Sequence, residues 1–114
     1  MKTVTVGVSS MRNVQRRTTA AFRGQRQGAH ISFASEEVLW KTITPKRWMI
    51  LKSMAGQGPT AIREIARRVD RDVRAVHSDV HVLLNAGLVE RTDDGRVHFP
   101  YDAIHVDFVL SAAA

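Results

Sequence analysis

The stretch Thr60–Phe99, TAIREIARRVDRDVRAVHSDVHVLLNAGLVERTDDGRVHF, decides the fold. Thr60 reads as the cap of a helix over 61–69 in which Ile62, Ile65, Ala66 and Val69 share one face. Asp70-Arg71-Asp72 then forms a tight turn, and Asp72 caps a further helix over 73–86. Val73, Val76, Val80, Leu83 and Leu84 recur in that helix at the 3.6-residue period and form its inward arc. Gly87 supplies a left-handed stop. Leu88 to Phe99 reads as a β-hairpin, with the turn Thr92-Asp93-Asp94-Gly95 placing glycine where φ must be positive.

Upstream, Thr44-Pro45 is an N-cap with proline at the first helical position, and opens a helix over 45–55. Trp48, Ile50, Leu51 and Met54 make its buried side, and Gly56-Gln57-Gly58-Pro59 ends it as a connector. Three helices, a short turn between the second and third, and a hairpin directly afterwards predict an α+β chain containing a winged helix-turn-helix over residues 30–110, with the wing over 88–99. Ser35, followed by Glu36 and Glu37, starts another short helix.

The ends of the chain add strands. Val4, Val6 and Val8 alternate in one candidate, His30 to Phe33 form a second, and Ile104, Val106, Phe108 and Leu110 alternate in a last strand over 103–110. An extra N-terminal helix is expected from Ser9 or Ser10 to about Arg23, with a thin apolar stripe of Met11, Val14, Ala21 and Phe22. Ile31–Phe33 can pair with one terminal strand. The other lacks an evident partner in the winged core, which predicts a homodimer with terminal exchange.

The 114 residues carry seventeen basic and eleven acidic side chains, a formal charge of +6, and no cysteine. That excludes disulfides, thiolate chemistry and Cys-ligated metal, and suits a reducing cytoplasm. No apolar run approaches the roughly 18 residues of a membrane span, and the N-terminus has no signal-peptide pattern. The basic arm over residues 1–29 holds +6, residues 30–59 hold +2, residues 60–87 hold +1 and residues 88–114 hold −3. The charge excess therefore lies outside the helix that would read bases.

Stepping about 100° per residue around the third helix sets Arg71, Arg74, Ala75, Ser78, Val82 and Asn85 opposite its core face, with His81 at the edge. Arg74, Ser78 and Arg71 are the expected base contacts and Ala75 a thymine-methyl contact, because arginine pairs guanine bidentately and serine bonds either kind of base. Thr60 is expected near the DNA backbone, Arg63 and Arg67 at phosphates, and Arg91 and Arg96 in the wing at a phosphate or the minor groove. A solvated arginine face, or a protein-interaction module, would carry the same pattern. His77 and His81 lie four apart, a spacing that suits a metal, but Ser78 stands where a zinc protease needs glutamate, so an ordinary surface pair is expected. There is no G-x-S-x-G, Walker or dinucleotide loop, and neither an enzyme nor a cofactor is expected. Trp40 and Trp48 read as core anchors, and the basic helix over 10–26 has too thin an apolar face for a membrane surface.

Five segments carry a family resemblance: Thr44-Pro45-Lys46-Arg47; Ile62-Arg63-Glu64-Ile65-Ala66; Arg71 to Val80; Leu84-Asn85-Ala86-Gly87-Leu88-Val89; and Pro100 to Phe108. Over roughly residues 30–110 this order resembles small prokaryotic DNA-binding proteins described as MarR-like winged-helix regulators. The resemblance implies a transcriptional regulator. Some members look like antitoxins that bind a small toxin and repress their own promoter. The expectation is thus a dimeric repressor on a palindromic operator in double-stranded DNA, acting by occupancy. The alternative is an antitoxin that neutralises a toxin partner through the basic residues 9–29 and autoregulates its promoter.

Overall fold

The computed structural model describes residues 2–8 and 29–108. The expected helix over residues 9–23, the basic arm beyond residue 8, and Val109 and Leu110 lie outside these. The described chain is α+β, with the order β1 (Thr3–Val8), β2 (Ala29–Phe33), α1 (Glu36–Thr42), α2 (Pro45–Met54), α3 (Ile62–Val69), α4 (Val73–Asn85), β3 (Glu90–Arg91), β4 (Val97–His98) and β5 (Ala103–Asp107).

The terminal strands find their partners within the chain. β1 lies between β2 and β5, parallel to both, with Val6 opposite Ile31 on one side and Val106 on the other. This corrects the argument for terminal exchange, since both strands find a partner strand within one molecule. At the start of β1 the Lys2 amide donates to the Asp102 carboxylate at 2.8 Å, and the Asp102 amide donates to the Lys2 carbonyl at 2.7 Å. These two bonds set the register of the β1–β5 pair.

Alternation explains which face of the sheet is covered. Val4 and Val6 are fully buried, while His30, Ser32, His105 and Asp107 on the opposite face are exposed. Gly7 is needed on that open face, because a Cβ there would stand 2.6 Å from the Asp107 carbonyl oxygen. Backbone cannot swing aside as a side-chain tip can, so Gly7→Ala is expected to cost about 1–3 kcal/mol. Chemical denaturation checks this. An unchanged midpoint would mean that β5 shifts freely.

The helices follow their local signals, with instructive exceptions. Ser35 accepts from the Val38 amide at 3.2 Å and caps α1, whose first turn carries Glu36 and Glu37. Thr44 accepts from the Arg47 amide at 3.2 Å and caps α2. Ile50, Leu51 and Met54 of α2 are buried as their spacing predicts. The two tryptophans correct their expected place in the core: Trp48 is 39% and Trp40 54% exposed. Trp40 instead packs edge-on to Phe108, with ring centroids 5.5 Å apart.

α3 is not capped by Thr60. Its N-cap is Ala61, which makes no side-chain bond, and Thr60 is buried, its hydroxyl donating to the Gly58 carbonyl at 3.0 Å. Thr60 exchanges both backbone hydrogen bonds with Val97, 2.8 and 2.9 Å, and so bridges to β4 on the side away from β3. α3 ends on Asp70 in the left-handed region, φ 54°. α4 begins after Asp72, whose carboxylate accepts from the Arg74 and Ala75 amides at 3.1 and 3.3 Å. Val76, Val80 and Leu83 are fully buried, but Val73, at the first turn, is 42% exposed and does not join the inward arc. Gly87 and Gly95 adopt φ 81° and 84°, as the helix stop and the hairpin turn require.

A single core joins the sheet to the helices. Val4 and Val6 from β1, Leu39 from α1, Ile50 and Met54 from α2, Ile65 from α3, Val80 and Leu83 from α4 and Val97 from β4 belong to one cluster. Burying each such side chain contributes about 1.5–3 kcal/mol, so the helices hold the orientation set by their shared apolar faces.

Candidate nucleic-acid interface

The outward side of α4 and the hairpin that follows it form the candidate site. Asp72 holds the first turn of α4 from its backbone, which leaves the Arg74 side chain exposed and without an ion-pair partner among the described residues. Ser78 and His81 are exposed further along the helix, Asn85 is exposed at its end, and Ala75 and Val82 are half-buried. His77 joins them: its ring lies 5.0 Å from that of His81, centroid to centroid. Among the described residues no group of three or more histidine and carboxylate side chains stands together as a metal site.

Arg71 is placed elsewhere. Its Nη1 atom is buried, 2.8 Å from Asp79 Oδ2, out of line for a hydrogen bond, so the contact is ionic. Its amide donates to the Ala66 carbonyl at 3.0 Å, which makes it part of the α3 terminus rather than of the α4 wheel. This corrects the expectation of Arg71 at a base. Thr60 is corrected in the same way, because its buried hydroxyl is spent on Gly58.

Asp79 is the residue that spacing alone missed. It accepts a hydrogen bond from Arg47 Nε at 2.9 Å while its other oxygen faces Arg71. Arg47 Nη1 also donates to the carbonyls of Lys41 and Thr42, at 2.7 and 3.3 Å. One carboxylate thus ties α4 to the end of α1, the start of α2 and the α3–α4 turn. No short-range pattern announces this, since Arg47 and Asp79 stand 32 residues apart.

The remaining arginines differ in freedom. Arg63 on α3 and Arg91 on β3 are exposed with no acidic partner among the described residues. Arg67 is held by Glu64, which also accepts from Arg68 Nε at 3.2 Å. The hydrogen bond from Arg67 holds the Glu64 carboxyl below its ordinary pKa, and the same bond raises the Arg67 guanidinium. At the hairpin tip Arg96 Nε donates to Asp94 at 2.8 Å, and Thr92 donates to the same carboxylate. Those bonds, Arg96 first, hold the Asp94 carboxyl well below the usual carboxylate range, while Asp94 raises Arg96. Arg96 is therefore internally neutralised, and Arg91 is the free cation of the hairpin.

None of the helices among the described residues is long and apolar enough to cross a membrane. The HVO_A0114 family profile matches residues 42–106, which contain α2, α3, α4, the hairpin and most of β5. The uncharacterized protein MJ1503 of Methanocaldococcus jannaschii is 43% identical over 51 residues, covering 41% of this chain and 39% of that protein. A protein of unknown function from Listeria innocua, known by its structure, aligns with TM-score 0.46 and 22% identity over 76% of this chain and 59% of that one. The chain thus spans less than two thirds of the length of either relative. Since the profile takes in more than half of the 114 residues, the chain belongs to the HVO_A0114 family.

Proposed function

We propose that this chain is a sequence-specific DNA-binding regulator built on a winged helix-turn-helix. α4 enters the major groove and the β3–β4 hairpin acts as the wing. The observation that carries the reading is the row Arg74, Ser78 and His81 along the outward side of α4, exposed above a buried Val76–Val80–Leu83 face. Arg74 stands near the N-terminus, where a recognition helix touches base edges. Arg63 and Arg91, on either side of it in the chain, are free to meet phosphates. Repression follows from operator occupancy by a homodimer on a palindromic site. The protein is then a binding protein rather than an enzyme, needs no cofactor, and works in the cytoplasm where its operator lies.

Selection of duplexes from a random pool, followed by binding at several salt concentrations, tests this. The expected result is an enriched palindromic sequence, bound with a steep salt dependence from the phosphate contacts. An unenriched pool bound no better than random DNA would end the reading. The charge of +6 in residues 1–29 favours a second reading, since it lies outside the segments assigned to bases. There the chain is an antitoxin that also neutralises a small toxin protein, and co-purification with the product of the adjacent gene separates the two.

A further inference from the structure

β5 is an outer strand of the three-stranded sheet. No described strand pairs with its far side, so among the described residues the backbone donors and acceptors of that edge have no strand partner. The core side of this edge is bordered by large apolar surface. Trp40 packs on Phe108 just past the strand, and Trp48 lines a cavity with Ala103 and Ile104. Both tryptophans are more than one third exposed. The open side of β5 instead carries His105 and Asp107, both exposed, with no side-chain partner among the described residues.

The sequence of this edge is complementary to itself. Two copies related by a twofold axis pair antiparallel, and only residues on the same face can stand opposite each other. Centred on Val106, the pairing sets His105 opposite the partner's Asp107, Asp107 opposite the partner's His105, and Ile104 opposite the partner's Phe108. Centred on His105, it would oppose two imidazoles, and centred on Asp107, two carboxylates. An imidazole donates to a carboxylate whether neutral or protonated, so the Val106 register gains two cross-strand bonds that its neighbours lack. Charge complementarity and the apolar border therefore select the same occupant, a second copy of this chain.

We propose that the protein dimerises through β5, antiparallel and centred on Val106, to give a continuous six-stranded sheet. This deepens the dimer of the proposed function by naming its interface and register, and it stands or falls apart from DNA binding. The test is sedimentation equilibrium of the full chain, with tryptophan fluorescence over the same concentrations. The wild type is expected to dimerise, with a blue shift as Trp40 and Trp48 are covered. His105→Asp and Asp107→His should each weaken self-association about tenfold or more, because like groups then face each other. Mixing the two variants should restore association, since each supplies what the other lacks, and circular dichroism checks that both fold. A monomeric wild type at all concentrations overturns the proposal and leaves the edge to a different chain. Variants that dimerise as well as wild type, or a mixture that does not recover, also overturn it. In each case binding to a single half-site duplex reads the DNA proposal separately.

Discussion

Arg74→Ala is expected to weaken binding to the selected operator by about 1–3 kcal/mol and to leave binding to random DNA nearly unchanged. Two features of the structure support that size. The Asp72 carboxylate takes the Arg74 and Ala75 amides, so the backbone that carries the side chain is held before any ligand arrives. The guanidinium has no acid to leave among the described residues, so none of its bonding to guanine is lost in breaking an ion pair. Fluorescence anisotropy on operator and scrambled duplexes reads the difference. Equal loss on both would make Arg74 a phosphate contact, and no loss on either would remove it from the interface. Arg71→Ala is the informative control. Its side chain faces Asp79, so its loss should lower stability and leave base preference intact.

Why Arg74 and Arg71 part company shows where sequence reading succeeds and where it stops. Asp72, Gly87 and Gly95 act within a few residues of themselves, and the ends of α4 and the hairpin turn lie where those residues place them. A helical wheel assumes continuous α geometry. Arg71 precedes the N-cap, and its amide completes the terminus of α3, so the wheel assigned it a direction that its backbone does not have. Val73 fails for a related reason: it opens the helix, where no preceding turn carries its side chain into the core, and it is left 42% exposed. Thr60 had all the appearance of a cap, but a long-range bridge to Val97 turned it inward. The three-strand sheet was the least legible part. Alternation marked each strand, while the pairing of Thr3 with Ala103 spans nearly the whole chain and left no local trace. The tryptophans repeat the lesson, for a large aromatic ring suits a sheet border as well as a core.

Asp79→Ala is expected to destabilise the fold by about 2–4 kcal/mol, because it leaves two guanidinium groups facing a site from which their counter-charge has gone. Arg47, Arg71 and Asp79 are each only about one fifth exposed or less, so water repays part of the loss and the cost falls somewhat below that of a fully buried pair. A loss of this size lowers the thermal midpoint by about 10 °C or more for a chain of this length. Arg47→Ala combined with Asp79→Ala should be less damaging than the two single losses added, since residues sharing one network couple by about 0.5–3 kcal/mol. A change within about 0.5 kcal/mol, the range of ordinary surface substitutions, would show that the network contributes nothing. The same variant links stability to the proposed function. Asp79 sits on α4 between Ser78 and the buried Val80, and its partners lie on α2 and in the turn that precedes α4. Freed from them, α4 keeps its apolar contacts but loses its polar ties to α2 and to the α3–α4 turn. Operator affinity should then fall through preorganisation, without any base contact being removed. Measured well below the melting range, that loss should shrink when osmolyte strengthens packing, whereas the loss in Arg74→Ala should not.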